Sequence, residues 1–135
     1  MKLSKKSLAN LQSVDPLLIA IMVDAIKDSP HDFGIPSTGG VRTDEEQHKL
    51  FLDGKSKCDG YNKKSKHQPK ELRGMKIGKA VDFYGYVSGG ATWDTAILTD
   101  IARHIQKVAK DRYNINLTWG GDWKSFRDMP HLQIK

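Results

Sequence analysis

Two histidines and one aspartate are the residues of this chain whose types and surroundings favour metal binding. His67 follows a serine and a lysine in a basic segment, Asp82 lies within the run AVDFYGYV, and His131 begins the run HLQIK near the C-terminus. Two imidazoles and one carboxylate form a sound zinc arrangement that leaves a fourth position for a water molecule. Zinc in such a site lowers the pKa of its water to about 7 and polarises carbonyl groups. The trio therefore indicates a candidate centre for the activation of water.

Asp128 lies three residues before His131 and carries a carboxylate of the kind that serves as a general base. A histidine is nevertheless more often a surface or core residue than a ligand. An aspartate is uncommon in a strand and is costly to bury without a partner. Residue types and spacing therefore leave two interpretations open, a zinc site and ordinary structural roles.

Two predicted strands must position the aspartate and the second histidine. The run AVDFYGYV alternates with period two and is rich in residues that favour strands. We predict a single strand over residues 80–87, with Asp82 on one face and Val81 and Phe83 on the other. The final run HLQIK places His131 on the face opposite its leucine and isoleucine in the same way. Two such strands can present an aspartate and a histidine side by side.

Three helices are predicted around these strands from their capping residues. Asp15 precedes a proline, Thr43 has capping-box spacing to Glu46, and Thr92 precedes the amphipathic run WDTAILTDIARHIQKVAKDRY. The predicted helices cover about residues 16–29, 44–53 and 93–113, with an extended segment at 33–38 and a further strand at 115–120.

A basic segment runs from Lys55 to Lys79 and contains His67. It holds eight lysines and one arginine against two acidic residues, and it lacks apolar periodicity. We therefore predict a long basic loop. Loops of this length inside compact domains are usually functional or disordered.

Length and composition predict one domain over residues 1–135. The 38% of hydrophobic and 28% of charged residues are ordinary for a globular protein with one core. We predict an α+β fold in which helices pack around a small, mostly antiparallel sheet. The longest apolar run, Leu17 to Val23, is too short to cross a bilayer, so we expect no stable membrane anchor. Cys58 is the single cysteine, which excludes an internal disulfide.

The N-terminus and the net charge bear on location and partners. The stretch MKLSKKSLANLQSVDP lacks the apolar core and cleavage site of a signal peptide, so we expect synthesis in the cytoplasm. A net charge of +6 favours polyanions such as nucleic acid, anionic lipid or a wall polymer, or simply solubility. Charge alone does not choose among these.

Four motifs occur in the order SKH, GKAVDFY, WGGDW and DMPHLQI. Together they resemble the family of zinc peptidases that contains D-Ala-D-Ala carboxypeptidases, dipeptidases and the phage endolysins that cut the L-alanyl-D-glutamate bond. The resemblance covers residues from about Phe33 to the C-terminus. It implies a Hedgehog/DD-peptidase-like α+β fold and a monomeric enzyme that acts on bacterial peptidoglycan peptides. It also implies a lysis enzyme that is made in the host cytoplasm and released to the cell wall through a holin.

The resemblance also implies a role for each candidate residue. His67, Asp82 and His131 match the family's Zn2+ ligands, and Asp128 matches its general base. Arg42, in the segment GVRT, matches the arginine that binds substrate and transition state.

One departure from the family pattern lies between the first two ligands. Fifteen positions separate His67 from Asp82, more than the family usually has, because QPKELRGMKI at 68–77 intervenes. An insertion in a loop costs little closure entropy, so we expect the ligands still to meet. The insertion adds three basic residues beside the cleft, which bears on substrate preference.

Two alternatives to the endopeptidase remain open at this point. The same fold and metal would serve a D-Ala-D-Ala carboxypeptidase. A basic binding module for wall polymer or nucleic acid, with zinc structural or absent, would account for the lysine-rich segment. We expect no specific nucleic-acid partner.

The remaining candidates carry weaker signals. His48 and His104 are predicted to be surface residues of helices, because neither has a partner one turn away. Trp119 and Trp123 are predicted to pack in the core, with a wall of the substrate cleft as the alternative. Ser65 is predicted to form a hydrogen bond near the zinc site.

Overall fold

The computed structural model describes residues 1–135 apart from the side chain of Leu72. Within these described residues the chain forms four α-helices and eight short strands. The helices are α1 (Lys5–Asn10), α2 (Pro16–Ala25), α3 (Asp44–Leu52) and α4 (Thr95–Tyr113). The strands are β1 (Asp32–Gly34), β2 (Lys70–Leu72), β3 (Met75–Ile77), β4 (Ala80–Asp82), β5 (Tyr84–Val87), β6 (Gly90–Thr92), β7 (Leu117–Trp119) and β8 (His131–Ile134).

The strands pair antiparallel into three small sheets, with the orders β1-β5-β6, β2-β3 and β4-β8-β7. Helices pack around them, which confirms the predicted α+β class. No helix of the described chain is both long and apolar enough to cross a membrane.

The helix starts follow local capping chemistry. Asp15 accepts a hydrogen bond from the N–H of Leu17 at 2.9 Å, and Thr43 forms the complete capping box with Glu46. The predicted cap of the longest helix is wrong. Asp94 caps α4, because Thr92 already lies in β6.

The core lies between the helices and two of the sheets. Helix α4 contributes the predicted apolar stripe, in which Ile101 and Ile105 are fully buried, and packs against α2. Burial of each such side chain contributes about 1.5–3 kcal/mol. Phe83 and Leu132 are also fully buried and tie the strands of the site to this core.

The single strand predicted over residues 80–87 is broken at Phe83. Strand β4 pairs with β8, whereas β5 pairs with β1 in a different sheet. The backbone N–H of Phe83 leaves both ladders and donates to the carbonyl of Pro130 at 3.1 Å. Alternation correctly separated Asp82 from the buried Val81 and Phe83, but it does not reveal where a chain changes sheets. The break leaves Asp82 at the very end of β4.

The basic segment is also less irregular than predicted. Strands β2 and β3 form a hairpin within it, so the prediction of an uninterrupted loop over 55–79 is wrong for residues 70–77. Arg73 and Gly74 have φ values of 52° and 82°, as a two-residue hairpin turn requires. Each of these strands has only three residues, which are too few for an alternating pattern to signal the hairpin.

Candidate metal centre

The register of two paired strands brings two of the predicted ligands together. Asp82 lies directly opposite His131 in the β4–β8 ladder. Because directly opposed side chains in an antiparallel pair are close neighbours, the carboxylate and the imidazole meet on one face of the sheet. The distance between Asp82 Oδ1 and His131 Nδ1 is 3.2 Å.

His67 reaches the same point from the basic segment. Its backbone carbonyl accepts from the N–H of Arg42 at 2.9 Å, and its own N–H donates to Ser65 Oγ at 3.1 Å. The predicted insertion does not displace it, since the N–H of Lys79 donates to the carbonyl of Lys66 at 3.0 Å and joins the two flanks. The inserted residues form the β2–β3 hairpin, and the backbone before and after the insertion is joined by this hydrogen bond.

Three ligand atoms converge at this point. His67 Nε2 lies 3.0 Å from Asp82 Oδ1 and 3.1 Å from His131 Nδ1. Ligand–metal distances of about 2.0–2.1 Å in a tetrahedral zinc site place neighbouring ligand atoms about 3.3 Å apart. The spacing in this structure is close to that value, so the three side chains of the described chain could hold a metal ion.

The outer nitrogens of both imidazoles have carbonyl partners. His67 Nδ1 lies 2.9 Å from the carbonyl oxygen of Gly40, and His131 Nε2 lies 2.7 Å from Oε1 of Gln133. Carbonyl oxygens only accept, so each outer nitrogen carries a proton and each inner nitrogen presents a lone pair. Two lone pairs and a carboxylate oxygen therefore face one another, an arrangement that a cation satisfies. Such second partners orient histidine ligands in metal sites.

Arg42 holds the other oxygen of the aspartate. Its Nη2 donates to Asp82 Oδ2 at 2.7 Å, its Nη1 to Oε1 of Gln47 at 3.0 Å and its Nε to the carbonyl of Thr38 at 2.8 Å. These bonds use three of the five N–H groups of the guanidinium. Within the described chain, one N–H on each terminal nitrogen is left for a ligand in the cavity that Arg42 lines.

Burial, charges and hydrogen bonds in the centre shift the pKa values of His67, Asp82 and His131. Burial lowers the pKa of His67 and outweighs the opposite effect of Asp82. Burial alone would raise the pKa of Asp82, but the charges and hydrogen bonds of the two histidines and Arg42 hold it well below its usual range. Burial alone would lower the pKa of His131, but its hydrogen bond with Asp82 and the negative charge there raise it.

Asp128 stands beside the three ligands without joining them. Its Oδ2 lies 4.0 Å from His131 Nδ1. Its backbone N–H donates to the carbonyl of Gly120 at 3.0 Å, and its carbonyl accepts from the N–H of His131 at 3.1 Å. Burial, followed by the negative charge of Asp82, raises the pKa of Asp128. A carboxyl group with a raised pKa is better suited to exchange protons near neutral pH.

A cavity of about 680 Å3 opens over the centre. Its lining includes all five predicted site residues, which are His67, Asp82, His131, Asp128 and Arg42. The rest of the lining is mainly lysine and serine residues of the basic segment and aromatic residues of three other segments.

The two tryptophans divide between the two predicted roles. Trp119 is buried in the core, and its indole N–H donates to the carbonyl of Met129 at 2.7 Å. Trp123 lines the cavity, with its ring centroid 5.2 Å from that of His131. Strand periodicity could have separated them, since Trp119 ends β7 and Trp123 follows it in a loop.

Three polar side chains have hydrogen-bond partners that the sequence did not indicate. His48 and His104 are partly buried, and each ring lies 2.8 Å from a backbone carbonyl, of Asp59 and Ala25 respectively. The predicted surface positions are therefore confirmed only in part, because each ring also has a hydrogen-bond partner. Gln47 is fully buried and bonded to Arg42, yet a single glutamine in a helix carries no sequence signal of such a role.

Comparison with known proteins adds independent information. The family model described as phage L-alanyl-D-glutamate peptidase matches residues 1–133. The L-alanyl-D-glutamate peptidase of Escherichia phage T5 is 30% identical over 135 residues, which cover 99% of this chain and 89% of that protein. The crystal structure of the L-Ala D-Glu endopeptidase ChiX of Serratia marcescens superposes with a TM-score of 0.78 at 25% identity, covering 100% of this chain and 90% of that one. The family match begins well before Phe33, where the motif resemblance started.

Proposed function

Because the chain belongs to the phage L-alanyl-D-glutamate peptidase family, we propose that it is a zinc-dependent peptidoglycan endopeptidase. Its substrate is the bond between L-alanine and D-glutamate in the stem peptides of the bacterial cell wall. The observation that carries this proposal is the convergence of His67, Asp82 and His131 beside Asp128 at the cavity. The family match favours this reaction over a D-Ala-D-Ala carboxypeptidase and over a binding module.

The donor set fits zinc, with His67 through Nε2, His131 through Nδ1 and Asp82 through Oδ1 as the ligands. Zinc bound there supplies a Lewis acid that polarises the scissile carbonyl and makes a water molecule more acidic. The carbonyl groups of Gly40 and Gln133 fix the tautomer of each histidine, and Arg42 fixes the rotamer of the aspartate.

Asp128 moves the proton. Its carboxylate accepts a proton from the attacking water while the water oxygen bonds to the alanine carbonyl carbon. The same carboxyl group then donates that proton to the glutamate nitrogen, so that the carbon–nitrogen bond breaks and a neutral amine leaves. The raised pKa of Asp128 favours both steps, because it brings the carboxyl group closer to neutral pH than an ordinary aspartate.

Arg42 stabilises the developing negative charge on the alanine carbonyl oxygen. Two N–H groups of its guanidinium remain for that oxygen within the described chain, and the bonds to Gln47 and Thr38 fix its plane. Donors that are oriented before the reaction lower the barrier without reorganisation.

A protein with this activity in a phage acts on the host wall after synthesis in the cytoplasm, and a holin would release it.

Digestion of purified peptidoglycan tests the proposal. Mass spectrometry of the products should show new C-terminal L-alanine and N-terminal D-glutamate, and activity should vanish with a chelator and return with Zn2+. Released D-alanine would instead indicate a carboxypeptidase. Salt-sensitive DNA binding without any wall cleavage would indicate a binding module.

A further inference from the structure

One side of the cavity carries a dense positive charge. The segment of residues 55–66, here called the lysine segment, contributes five lysines to the cavity lining, which are Lys55, Lys57, Lys63, Lys64 and Lys66. Among the described lining residues the acidic ones are Asp82 and Asp128. Asp82 is bonded to Arg42 and both histidines, and within the described chain neither carboxylate forms an ion pair with a lysine of this segment.

The lysine segment is held in place by buried side chains from outside it. Gln47 of α3 donates from Nε2 to Ser56 Oγ at 2.8 Å and to the carbonyl of Cys58 at 2.9 Å. Gln68 donates from Nε2 to the carbonyl of Gly60 at 2.8 Å. Gln47 and Gln68 are 0% and 5% exposed. The backbone that carries the lysines is therefore positioned by the same amide that bonds to Arg42.

Most of this charge lacks a partner in the folded chain. Within the part of the chain that the structure describes, Lys64 alone of the five forms an ion pair, with Asp44 at 3.0 Å. The ammonium group of Lys57 lies 5.1 Å from the ring centroid of Phe126, which lies outside the lysine segment. An aromatic ring carries no charge, so this contact does not neutralise Lys57. Unpaired positive charges that line a cavity attract a carboxylate ligand.

The substrate supplies such a group close to the reacting bond. In the L-alanyl-D-glutamate bond the scissile nitrogen belongs to glutamate, and one glutamate carboxyl group continues the peptide. The other is a free carboxylate or, where it is amidated, a neutral carboxamide a few bonds from that nitrogen. A carboxylate accepts from ammonium groups and carries the opposite charge, whereas a carboxamide does not.

We propose that the lysine segment makes the enzyme selective for stem peptides with a free glutamate carboxylate over their amidated counterparts. This inference rests on the proposed function. The ammonium groups that select the carboxylate are those of Lys55, Lys57, Lys63 and Lys66, which no described ion pair occupies. A charge-assisted hydrogen bond of this kind is worth about tenfold or more in kcat/KM.

Two synthetic substrates test the selectivity. They are L-alanyl-D-glutamyl peptides that differ only in a carboxylate or a carboxamide at the free glutamate carboxyl position. The wild-type protein should prefer the carboxylate by about tenfold in kcat/KM. The quadruple variant Lys55→Gln, Lys57→Gln, Lys63→Gln, Lys66→Gln should cleave both at similar rates. The control variant Lys2→Gln, Lys5→Gln, Lys6→Gln, Lys110→Gln changes the net charge equally at exposed positions outside the cavity and should keep the preference.

Zinc content and circular dichroism of all three proteins check that they are folded. Equal cleavage of both substrates by the wild-type protein would overturn the selectivity and leave the proposed function standing. An unchanged preference in the variant that lacks Lys55, Lys57, Lys63 and Lys66 would overturn the role of the lysine segment. If the zinc-loaded wild-type protein cleaved neither substrate, the proposed function itself would fail, and this inference with it.

Discussion

Nε2 of His67 and Nδ1 of His131 lie 3.1 Å apart, and the other nitrogen of each ring faces a carbonyl oxygen. Each ring is therefore held in the tautomer that turns its lone pair inward. His67 and His131 are 64 residues apart in the sequence. Partners on both sides of the centre thus prepare it for a cation before one binds.

Replacing Gln133 by leucine should weaken zinc binding without removing a ligand. Gln133 accepts from His131 Nε2 at 2.7 Å, and loss of such a partner typically lowers metal affinity about 10–100-fold. Isothermal titration calorimetry of the metal-free protein, after removal of the chelator, with Zn2+ measures the effect. Gln12→Leu, at an exposed position, is the control. Equal affinity in the Gln133 variant and the wild-type protein would mean that this hydrogen bond does not orient the ligand.

Replacing Asp128 by asparagine should lower kcat by about 100-fold to 10,000-fold while zinc stays bound, because a general base is lost and no ligand is removed. Muropeptide cleavage and metal analysis of the same preparation measure both quantities. The matched control is Asp122→Asn in the same loop, since Asp122 pairs with Arg103 at the surface. Loss of zinc together with activity would identify Asp128 as a ligand and not as a base alone.

Zinc affinity should depend on pH through His131. Its pKa is raised in the metal-free protein, so at pH values where an ordinary histidine is neutral a second proton occupies the inner nitrogen Nδ1, beside Asp82. Zinc must displace that proton. Affinity should therefore fall by about tenfold for each pH unit below the raised pKa and level off above it.

Calorimetric titrations in buffers with different ionisation enthalpies count the released proton. We expect about one proton per zinc at pH 6 and fewer as the pH rises above the pKa of His131. Affinity that stays constant between pH 6 and 8 would contradict a proton on His131.

Replacing Gly120 by alanine should misplace the general base. A Cβ at this position would overlap the carbonyl oxygen of Asp128 and lie 3.0 Å from its Cβ. We expect kcat to fall by about 100-fold, since small displacements of a catalytic group have effects of this size. Zinc affinity should change little. Gly90→Ala is the control, because the nearest atom to its Cβ would be 4.0 Å away. Unchanged turnover in the Gly120 variant would show that the loop adjusts without moving Asp128.

Much of the fold was predictable because its signals are local. The caps at Asp15 and Thr43, the apolar stripe of α4 and the alternation around His131 each involve residues within a few positions of one another. The break at Phe83 was not predictable, because it depends on the carbonyl of Pro130, which lies 47 positions away. The hairpin at 70–77 was missed because each of its strands has only three residues, too few for a periodic pattern.

By itself, the sequence determined which residues are available for chemistry and in what order they occur. Two histidines and two aspartates in family-like motifs were sufficient to name the candidate ligands and the candidate base. Only the tertiary structure decided that His67 meets Asp82 and His131 despite the inserted hairpin, and that Gln47 joins Arg42 to the lysine segment. It also decided that the outer nitrogen of each histidine ligand faces a carbonyl oxygen. The physical reason is that these are contacts between segments distant in the chain. Their geometry depends on the packing of the whole domain, which local spacing does not encode.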